Sequence, residues 1–229
     1  QGLNDIDWSE SIKESQRNWI GKSVGAMVTF KVIAGDKSQE ERGIEVFTTR
    51  PDTIFGVTFM TLAPEHPLVQ EITTTQYADK VNEYIVASSK RSERERMADV
   101  KTISGVFTGA YAEHPFTKEP VPVWIGDYVL AGYGTGAVMA VPCGDERDYA
   151  FANFFKGQSG MLPIKNIFAN VDISEVAYGS KDNVIIANSD FLDGLTYKEG
   201  TKKAIEALEK LNQGYGKINY RLRDAVFSR

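Results

Sequence analysis

Two separated blocks of polar side chains predict one hydrolytic pocket. The first block, 48–53, reads Thr-Thr-Arg-Pro-Asp-Thr and follows an apolar, strand-like run that Pro51 must end. Its hydroxyls and guanidinium are therefore expected at the end of a strand. The second block joins the glycine-rich run 132–136, which permits close approach of the backbone to a ligand, to the run 145–148, Asp-Glu-Arg-Asp.

Four segments of the chain resemble the editing insertion of leucyl-tRNA synthetase, more closely than that of the isoleucyl or valyl enzymes. These segments are 47–56 (Phe-Thr-Thr-Arg-Pro-Asp-Thr-Ile-Phe-Gly), 63–67 (Ala-Pro-Glu-His-Pro), 134–142 (Gly-Thr-Gly-Ala-Val-Met-Ala-Val-Pro) and 145–148 (Asp-Glu-Arg-Asp). The resemblance implies an aminoacyl-tRNA ester hydrolase that clears mischarged tRNA(Leu), such as the norvalyl or isoleucyl ester, and rejects leucyl-tRNA by shape.

The resemblance extends to both ends of the chain. The runs 18–23 and 219–224 are similar to the segments that enter and leave the insertion in this family. This implies a single editing domain over 1–229, with connecting segments to a synthetase core at 1–24 and 216–229. The His-x-Gly-His and Lys-Met-Ser-Lys-Ser signatures of such a core do not occur in the sequence. ATP and Mg²⁺ are therefore expected only for that core, and no cofactor is expected for editing.

The charge balance limits how the chain can hold a nucleic acid. There are 26 Lys and Arg against 31 Asp and Glu, a net charge of −5, which argues against broad, salt-dependent binding of phosphates. We therefore expect the acceptor end of tRNA(Leu) to be held locally while the remainder of the synthetase grips the rest. The isolated domain is expected to be monomeric.

The sequence contains few of the cysteine and histidine side chains that commonly bind metals. One cysteine, Cys143, and two histidines, His66 and His114, leave no ligand cluster at a recognisable spacing. We expect no structural zinc and no intramolecular disulfide. Neither a membrane-spanning run nor a secretory signal is visible, so we expect no membrane partner and a cytoplasmic location.

The apolar patterns predict a sheet-based fold with helices around it. Strands are predicted at 25–33, 43–49, 57–62, 121–125, 128–130, 137–141 and 184–187, and helices at 7–20, 67–85 with a break near 73–75, and 196–214. Strands come first and no regular β-α-β alternation follows. This order favours an α+β fold, a mixed β-barrel with peripheral helices, over a doubly wound sheet. The family resemblance implies the same barrel.

Two carboxylates three residues apart, Asp145 and Asp148, are predicted on one face of the first turn of a helix over 145–155. By resemblance, Asp148 is expected to anchor the α-ammonium of the substrate amino acid, with Asp145 beside it. Capping of the helix is the alternative role for both, and by sequence alone capping is favoured for Asp145.

The threonines of the first block are expected to handle the ester. Thr48 and Thr49 can hydrogen-bond the attacking water, the carbonyl or the terminal ribose, because a hydroxyl both donates and accepts. Together with Asp148 they are the predicted catalytic residues, and packing as β-branched strand residues is the alternative for the threonines. Arg50 is expected either to contact the terminal phosphodiester or to form a structural salt bridge.

Thr53 resembles the family position that narrows the amino-acid pocket. Leucine branches at Cγ, so a threonine methyl at that point excludes it while admitting linear norvaline or β-branched isoleucine. The alternative is a turn hydroxyl after Pro51.

Other residues of the second block are expected to complete the substrate site. Tyr133, Gly134 and Thr135 are predicted to contact the ribose or phosphate of the acceptor end, and Met139 and Val141 to line the amino-acid pocket. A glycine-rich hairpin and ordinary core packing are the alternatives.

The chain departs from its relatives at Gly144, where they commonly carry a histidine. This departure argues against a histidine base and favours activation of water by threonine hydroxyls or by the ribose hydroxyl. Cys143 is assigned no catalytic role. Two other functions stay open: a non-catalytic module that binds the tRNA acceptor end, and a free-standing hydrolase that uses Asp145 and Asp148.

Overall fold

One mixed sheet forms the frame of the structure, which is a computed structural model that describes residues 2–34, 42–99, 102–132 and 134–220. Within these residues the strands are β1 (Lys22–Ala34), β2 (Gly43–Thr48), β3 (Phe59–Leu62), β4 (Val106–Glu113), β5 (Pro120–Ile125), β6 (Ala137–Ala140) and β7 (Gly214–Tyr220). The α-helices are α1 (Glu10–Ile20), α2 (Leu68–Ile72), α3 (Ala78–Ser89), α4 (Glu93–Ala98), α5 (Glu146–Phe154) and α6 (Tyr197–Lys210). Short 3₁₀ helices occur at Gly2–Asn4, Pro51–Gly56, Thr75–Tyr77 and Asp190–Leu192.

The sheet is built around the long strand β1. The hydrogen-bonded order is β2-β1-β4-β5-β3-β6, and β7 also pairs with β1. The described pairs are antiparallel except β3 with β5. Val28 and Phe30 of β1 are fully buried and lie opposite the buried Val46 and Ile44 of β2. This period of two sets the register, because a slip of β2 by one residue would turn Val46 and Ile44 to the opposite face of the sheet.

The prediction of a closed barrel is wrong. β2 and β6 stand at the two ends of the hydrogen-bonded order, and no ladder joins them within the described residues. β6 is only four residues long, and the chain after β2 bends into the 3₁₀ helix Pro51–Gly56, whose proline lacks a backbone N–H. Neither edge can therefore extend a shared ladder, and the sheet stays open between them.

The other predicted elements are mostly confirmed. The runs 25–33, 43–49, 57–62, 121–125 and 137–141 correspond to β1, β2, β3, β5 and β6, and the helix predictions correspond to α1, to α2 with α3, and to α6. Two strand predictions are wrong. Residues 128–130 lie in a turn and bend after β5, and 184–187 forms only isolated bridges, with Phe168 opposite Ile186 and Ile185 opposite Thr196. β4 and β7 were not predicted.

The charged run 90–96 is mostly exposed, but two of its arginines make ion pairs with other parts of the structure. The guanidinium of Arg96 is buried and lies 2.9 Å from Glu65, and that of Arg91 pairs with Asp99 at 2.8 Å and Asp127 at 2.7 Å. The pair with Asp127 ties the link between α3 and α4 to the turn that follows β5, and the pair with Glu65 ties α4 to the segment after β3. The turn is therefore held in place from outside the sheet.

An aromatic cluster fastens α5 to the sheet. Phe151 of α5 stacks on Phe59 of β3 at 5.0 Å between ring centroids and meets Trp124 of β5 edge-on at 5.6 Å. The indole N–H of Trp124 donates to the carbonyl of Gly160 at 2.6 Å, so the buried ring leaves no polar group unpaired. Each aromatic pair contributes about 0.5–1.5 kcal/mol beyond its buried area. The first turn of α5 is thereby held against β6.

The 3₁₀ helix Pro51–Gly56 is held by a buried histidine. His114 directly precedes the turn 115–117 and is buried, and its Nε2 is 3.0 Å from the carbonyl oxygen of Ile54. Its Nδ1 accepts hydrogen bonds from the backbone N–H groups of Phe116 and Thr117, so Nε2 carries the proton. Burial lowers the pKa of His114, which keeps the ring neutral in this arrangement.

We predict that Gly25→Ala destabilises the fold by about 1–3 kcal/mol, the usual cost of overpacking. A Cβ at Gly25 of β1 would overlap the carbonyl oxygen of Thr48 and press on the Cα of Thr49. The free energy of unfolding, measured in urea, checks this. Gly216→Ala in the neighbouring strand is the matched control, because its Cβ would meet only Ile205, at 3.5 Å. An equal loss in both variants would contradict the prediction.

Candidate active site

The open edge of the sheet contains a cavity of about 550 Å³. The end of β2, the 3₁₀ helix, the turn after β5, strand β6 and the first turn of α5 contribute to it. Its lining residues are Phe47, Thr48, Thr49, Arg50, Thr53, Tyr128, Val129, Leu130, Val138, Met139, Val141, Gly144, Asp145, Arg147 and Asp148. The structure thus brings the two polar blocks of the sequence together in one place.

Asp148 lines this cavity and is nevertheless buried, with 8% of its surface exposed. Its Oδ2 accepts a hydrogen bond from the backbone N–H of Val141 at 2.8 Å, and its Oδ1 accepts one from the hydroxyl of Tyr128 at 3.4 Å. Burial, together with the nearby charge of Asp145, raises the pKa of Asp148 to about 8. The carboxyl is therefore mostly protonated at neutral pH when the cavity is empty.

Asp145 has the capping role that the sequence favoured. It precedes α5, and its Oδ1 accepts hydrogen bonds from the backbone N–H groups of Arg147 at 2.9 Å and Asp148 at 3.1 Å. An N-cap of this kind satisfies donors that the first turn of a helix leaves unpaired. Asp145 is exposed, and by capping the helix it holds Asp148 at the third helical position.

The two threonines at the end of β2 differ in how their hydroxyls are used. Thr48 Oγ1 accepts a hydrogen bond from the backbone N–H of Arg50 at 3.0 Å, so its own proton stays available to donate. Thr49 is exposed, and its hydroxyl has no partner among the described residues. Both side chains line the cavity and can bind a water or an ester oxygen there.

Arg50 forms the structural salt bridge that was one of its two expected roles. Its Nε and Nη2 donate to the carboxylate of Asp52, at 3.0 and 2.9 Å, and Asp52 is fully buried. The guanidinium also lies over the ring of Tyr197, with its carbon 5.0 Å from the centroid. A bidentate pair of this kind fixes geometry as well as charge, so Arg50 braces the turn that contains Thr53.

Thr53 is buried, with 3% of its surface exposed, and still contributes to the cavity lining. Its hydroxyl donates to the carbonyl of Arg50 at 2.8 Å, and its backbone N–H donates to the same oxygen at 3.1 Å. Because the hydroxyl is occupied by the backbone, the γ-methyl is the part of the side chain left for contact with a ligand. Thr53 can therefore hydrogen-bond within the turn and line the pocket at the same time.

The remaining predicted site residues are divided between the cavity and its surroundings. Met139 and Val141 line the cavity and are almost fully buried. Gly134 and Thr135 are not in its lining; Gly134 is exposed, and the Thr135 hydroxyl donates to the carbonyl of Ala137 at 3.2 Å. The prediction for Tyr133 lies outside the described residues.

Sequence reasoning missed Tyr128, which contacts both the cavity and the buried carboxyl. Its signal was the pair Gly126 and Asp127 directly after β5, a typical turn dipeptide. A turn there places the following side chain at the end of the strand rather than along it. Five other lining residues were also missed: Phe47, Val129, Leu130, Val138 and Arg147.

Gly144 lines the cavity and Cys143 precedes it in the chain, and neither supplies a reactive group. Cys143 is fully buried, and burial raises the pKa of its thiol to about 11, so no thiolate is available at neutral pH. A Cβ at Gly144 would be in ordinary contact with Phe168, at 3.4 Å. The described residues contain no group of three or more His, Cys, Asp or Glu side chains that could hold a metal ion.

The sequence of the cavity walls matches a known family. The family model described as leucyl-tRNA synthetase, editing domain, matches residues 17–209. The chain belongs to this family of editing domains. Across the described ranges, no helix is long and apolar enough to cross a membrane.

Individual relatives of this editing domain are leucine–tRNA ligases. The ligase of Flavobacterium johnsoniae is 80% identical over the whole chain, and that of Flavobacterium psychrophilum is 78% identical. The chain spans about a quarter of the length of these relatives, 24% and 25% respectively. A crystal structure of the agnB2 LeuRS of Agrobacterium radiobacter K84, in a ternary complex with tRNA and LeuAMS, is 33% identical with a TM-score of 0.73. That match covers 97% of this chain and 23% of the other.

We predict that Asp148→Asn stabilises the editing domain, and that the gain grows as the pH rises from 4 to 8. The carboxyl ionises at about pH 3.9 in an unfolded chain, but only near 8 in the fold. Between these values the folded state holds the extra proton, so the free energy of unfolding falls as the pH rises, by an amount on the order of a few kcal/mol. Asparagine is neutral throughout.

Thermal unfolding of both proteins at pH 5, 6.5 and 8 measures this gain. Asp79→Asn on the exposed face of α3 is the control and should leave the pH dependence unchanged. A gain that is the same at all three pH values would contradict the prediction.

Proposed function

We propose that the domain hydrolyses the ester bond of mischarged aminoacyl-tRNA(Leu), such as the norvalyl or isoleucyl ester, and spares leucyl-tRNA(Leu). The observation that carries the proposal is a buried carboxyl, Asp148, in the same cavity as Thr48, Thr49 and Thr53. These groups match the three parts of an aminoacyl ester: the ammonium, the scissile carbonyl and the amino-acid side chain.

The ammonium is proposed to bind at Asp148. An opposite charge within contact distance favours the ionised carboxylate and lowers its pKa. The α-ammonium therefore displaces the proton that Asp148 holds in the empty cavity, and the charge pair fixes one end of the substrate. The surrounding apolar residues, including Met139 and Val141, strengthen this attraction by excluding water.

The ester is already an activated acyl group, so a positioned water is sufficient as nucleophile. The Thr48 hydroxyl has its own proton available to donate, and the Thr49 hydroxyl is unpaired within the described residues. Both are placed to hold this water or the carbonyl oxygen. The water oxygen adds to the carbonyl carbon, the bond to the ribose oxygen breaks, and that oxygen takes the proton that the water loses. The free amino acid and the uncharged tRNA leave.

Selection against leucine is proposed for Thr53. A synthesis site distinguishes substrates that differ by one methylene by only about 1–3 kcal/mol, so a second site must reject the correct product by shape. The hydroxyl of Thr53 is held by the carbonyl of Arg50, which leaves the methyl to meet a Cγ branch. Arg50 and Asp52 stiffen this turn, so the methyl cannot easily withdraw.

The partners are proposed to be the acceptor end of tRNA(Leu) and the remainder of a leucyl-tRNA synthetase. The support is the ternary complex of the Agrobacterium relative, which contains tRNA, and the greater length of the related ligases. Gly134 and Thr135, which lie outside the cavity lining, are proposed to contact the acceptor-end ribose or phosphate. Tyr133 keeps the same proposed role, and the domain is proposed to need no metal or cofactor for hydrolysis.

We predict that Asp148→Ala slows hydrolysis of norvalyl-tRNA(Leu) on the order of 100-fold, because a hydrogen-bonded charge contributes up to about 3 kcal/mol. The test is deacylation by the full-length synthetase that contains this domain. Asp79→Ala is the control for loss of an exposed carboxylate. Normal deacylation by Asp148→Ala would refute the ammonium role, and inactivity of the unmodified synthetase would favour the binding-module alternative.

We predict that Thr53→Ala makes the synthetase hydrolyse leucyl-tRNA(Leu), because the methyl that excludes the Cγ branch is gone. The measurement is the loss of leucyl ester beside norvalyl ester. Thr58→Ala is a matched control, since the Thr58 hydroxyl also bonds to a backbone carbonyl, that of Gly56, but the residue does not line the cavity. Continued sparing of leucyl-tRNA by Thr53→Ala would refute this assignment.

We predict that kcat/KM for norvalyl-tRNA(Leu) has a narrow maximum near pH 8. The pH dependence of kcat/KM reports the ionisation of the free enzyme. Below pH 8, kcat/KM falls about tenfold per pH unit as the Asp148 carboxyl, whose pKa is about 8, gains a proton. Above it, the α-ammonium of the substrate, with a pKa of about 7.7–8.0 for a free α-amino group, loses its charge. A flat profile between pH 6 and 8, after subtraction of spontaneous hydrolysis, would contradict the role of Asp148.

A further inference from the structure

We propose that Tyr128 is a positioning residue for this reaction, and that its hydroxyl, held by Thr61, orients the Asp148 carboxyl and keeps it hydrogen-bonded both with and without its proton. The inference rests on the proposed function, because it concerns the same carboxyl. Tyr128 itself is not assigned contact with the reacting atoms.

Three hydroxyl and carboxyl groups form a short chain beneath the cavity. Thr61 Oγ1 lies 3.0 Å from the Tyr128 hydroxyl oxygen, and that hydroxyl donates to Asp148 Oδ1 at 3.4 Å. The other carboxyl oxygen accepts from the backbone N–H of Val141. Each carboxyl oxygen therefore has one donor from the protein, which fixes the plane of the group while leaving further lone pairs for a ligand.

The direction of the hydrogen bonds that link Thr61, Tyr128 and Asp148 can reverse without movement of any heavy atom. When Asp148 is ionised, Thr61 donates to Tyr128 and Tyr128 donates to the carboxylate. When Asp148 holds its proton on Oδ1, the acid donates to Tyr128 and Tyr128 donates to Thr61. A hydroxyl both donates and accepts, so the Tyr128 hydroxyl and the Asp148 carboxyl stay hydrogen-bonded to each other in either state.

The position of the Tyr128 ring is set by groups around it. A Cβ on Gly126 would approach the ring at 2.9 Å and the methyl of Thr61 at 3.0 Å, so only glycine leaves room for both. The ring also packs on Phe151, at 5.6 Å between centroids. These contacts hold the hydroxyl where it meets Asp148.

The turn that contains Tyr128 is anchored one residue earlier, at Asp127. The backbone N–H of Asp127 donates to the hydroxyl of Tyr84 at 2.9 Å, and its carboxylate accepts from Arg91 at 2.7 Å. The ion pair of Arg91 with Asp127 thus supports the turn that presents Tyr128 to the buried carboxyl. Tyr128 is therefore a fixed donor rather than a mobile side chain.

Several titratable or charged groups face Asp148. They are Asp145, whose charge raises the pKa of Asp148; Arg147 and the Tyr128 hydroxyl, which lower it; and the neutral thiol of Cys143. Burial raises the pKa of Tyr128 well above its usual value, so its hydroxyl stays protonated and serves as a donor. Because a hydrogen bond to an ionised carboxylate is stronger than one between neutral groups, loss of this donor is expected to raise the pKa of Asp148 further.

The test compares Tyr128→Phe with Tyr111→Phe in the full-length synthetase that contains this domain. Tyr111 meets Phe107 edge-on, and its hydroxyl has no hydrogen-bond partner within the described part of the chain, so it controls for removal of a hydroxyl. The probe is norvaline joined by an amide to 3′-amino-3′-deoxyadenosine, which cannot be hydrolysed. Asp148→Asn is measured beside them and is expected to lose binding of this probe in the editing cavity.

The expected result is about a tenfold loss of affinity for Tyr128→Phe at pH 7, the scale of one hydrogen bond to a charged group, and no loss for Tyr111→Phe. The loss should shrink as the pH rises towards 9, and the acid side of the kcat/KM profile should move up by about one pH unit. Thr61→Val should show a smaller loss of affinity with the same pH dependence. Thr61→Ser, which keeps the hydroxyl, should behave as the unmodified synthetase does.

Two outcomes would overturn the inference. One is equal affinity of Tyr128→Phe and Tyr111→Phe at every pH; the other is a loss in Tyr128→Phe that does not change with pH, which would indicate packing alone. Failure of the proposed function would give a different result: Asp148→Asn would then bind the probe as tightly as the unmodified synthetase.

Discussion

The rest of the site depends on one constraint, the burial of the Asp148 carboxyl. An isolated charge is costly in an apolar environment, and burial raises the pKa of this group to about 8, so it holds its proton at neutral pH. Two donors hold its plane, the N–H of Val141 and the hydroxyl of Tyr128. The aromatic anchor of α5 and the cap by Asp145 place it at the wall of the cavity. A carboxyl in this state discriminates strongly in favour of a ligand with a positive charge.

The open edge of the sheet is the second condition for a site. Had β2 and β6 paired into a barrel, their edges would have closed the space that the cavity now occupies. β2 ends at Thr48, before the bend at Pro51, and the salt bridge of Arg50 with Asp52 and the hydrogen bond of His114 hold this bend in place. The same turn provides Thr53. One local break in a strand therefore both opens the cavity and supplies the group proposed to set its size.

Features that depend on a local pattern of residues could be predicted from the sequence. The alternation of β1 and β2, the end of β2 at Pro51 and the capping residue Asp145 were all predictable. β7 was not, because its glycines and exposed side chains have no apolar period, and its pairing with β1 alone makes it a strand. Barrel closure failed as a prediction because it depends on whether two distant edges meet. Tyr128 was missed because a single residue in a turn gives no periodic signal; only the packed structure brings it to Asp148.

The central claim is that Asp148 gives up a proton when the substrate ammonium binds. Calorimetry of the norvalyl amide probe at pH 6.5, in buffers of different ionisation enthalpy, counts protons released on binding to the full-length synthetase. With the pKa of the empty site at about 8, the account predicts the release of about one proton, and none that is specific to this cavity in Asp148→Asn. Tight binding to the cavity with no proton released would contradict it.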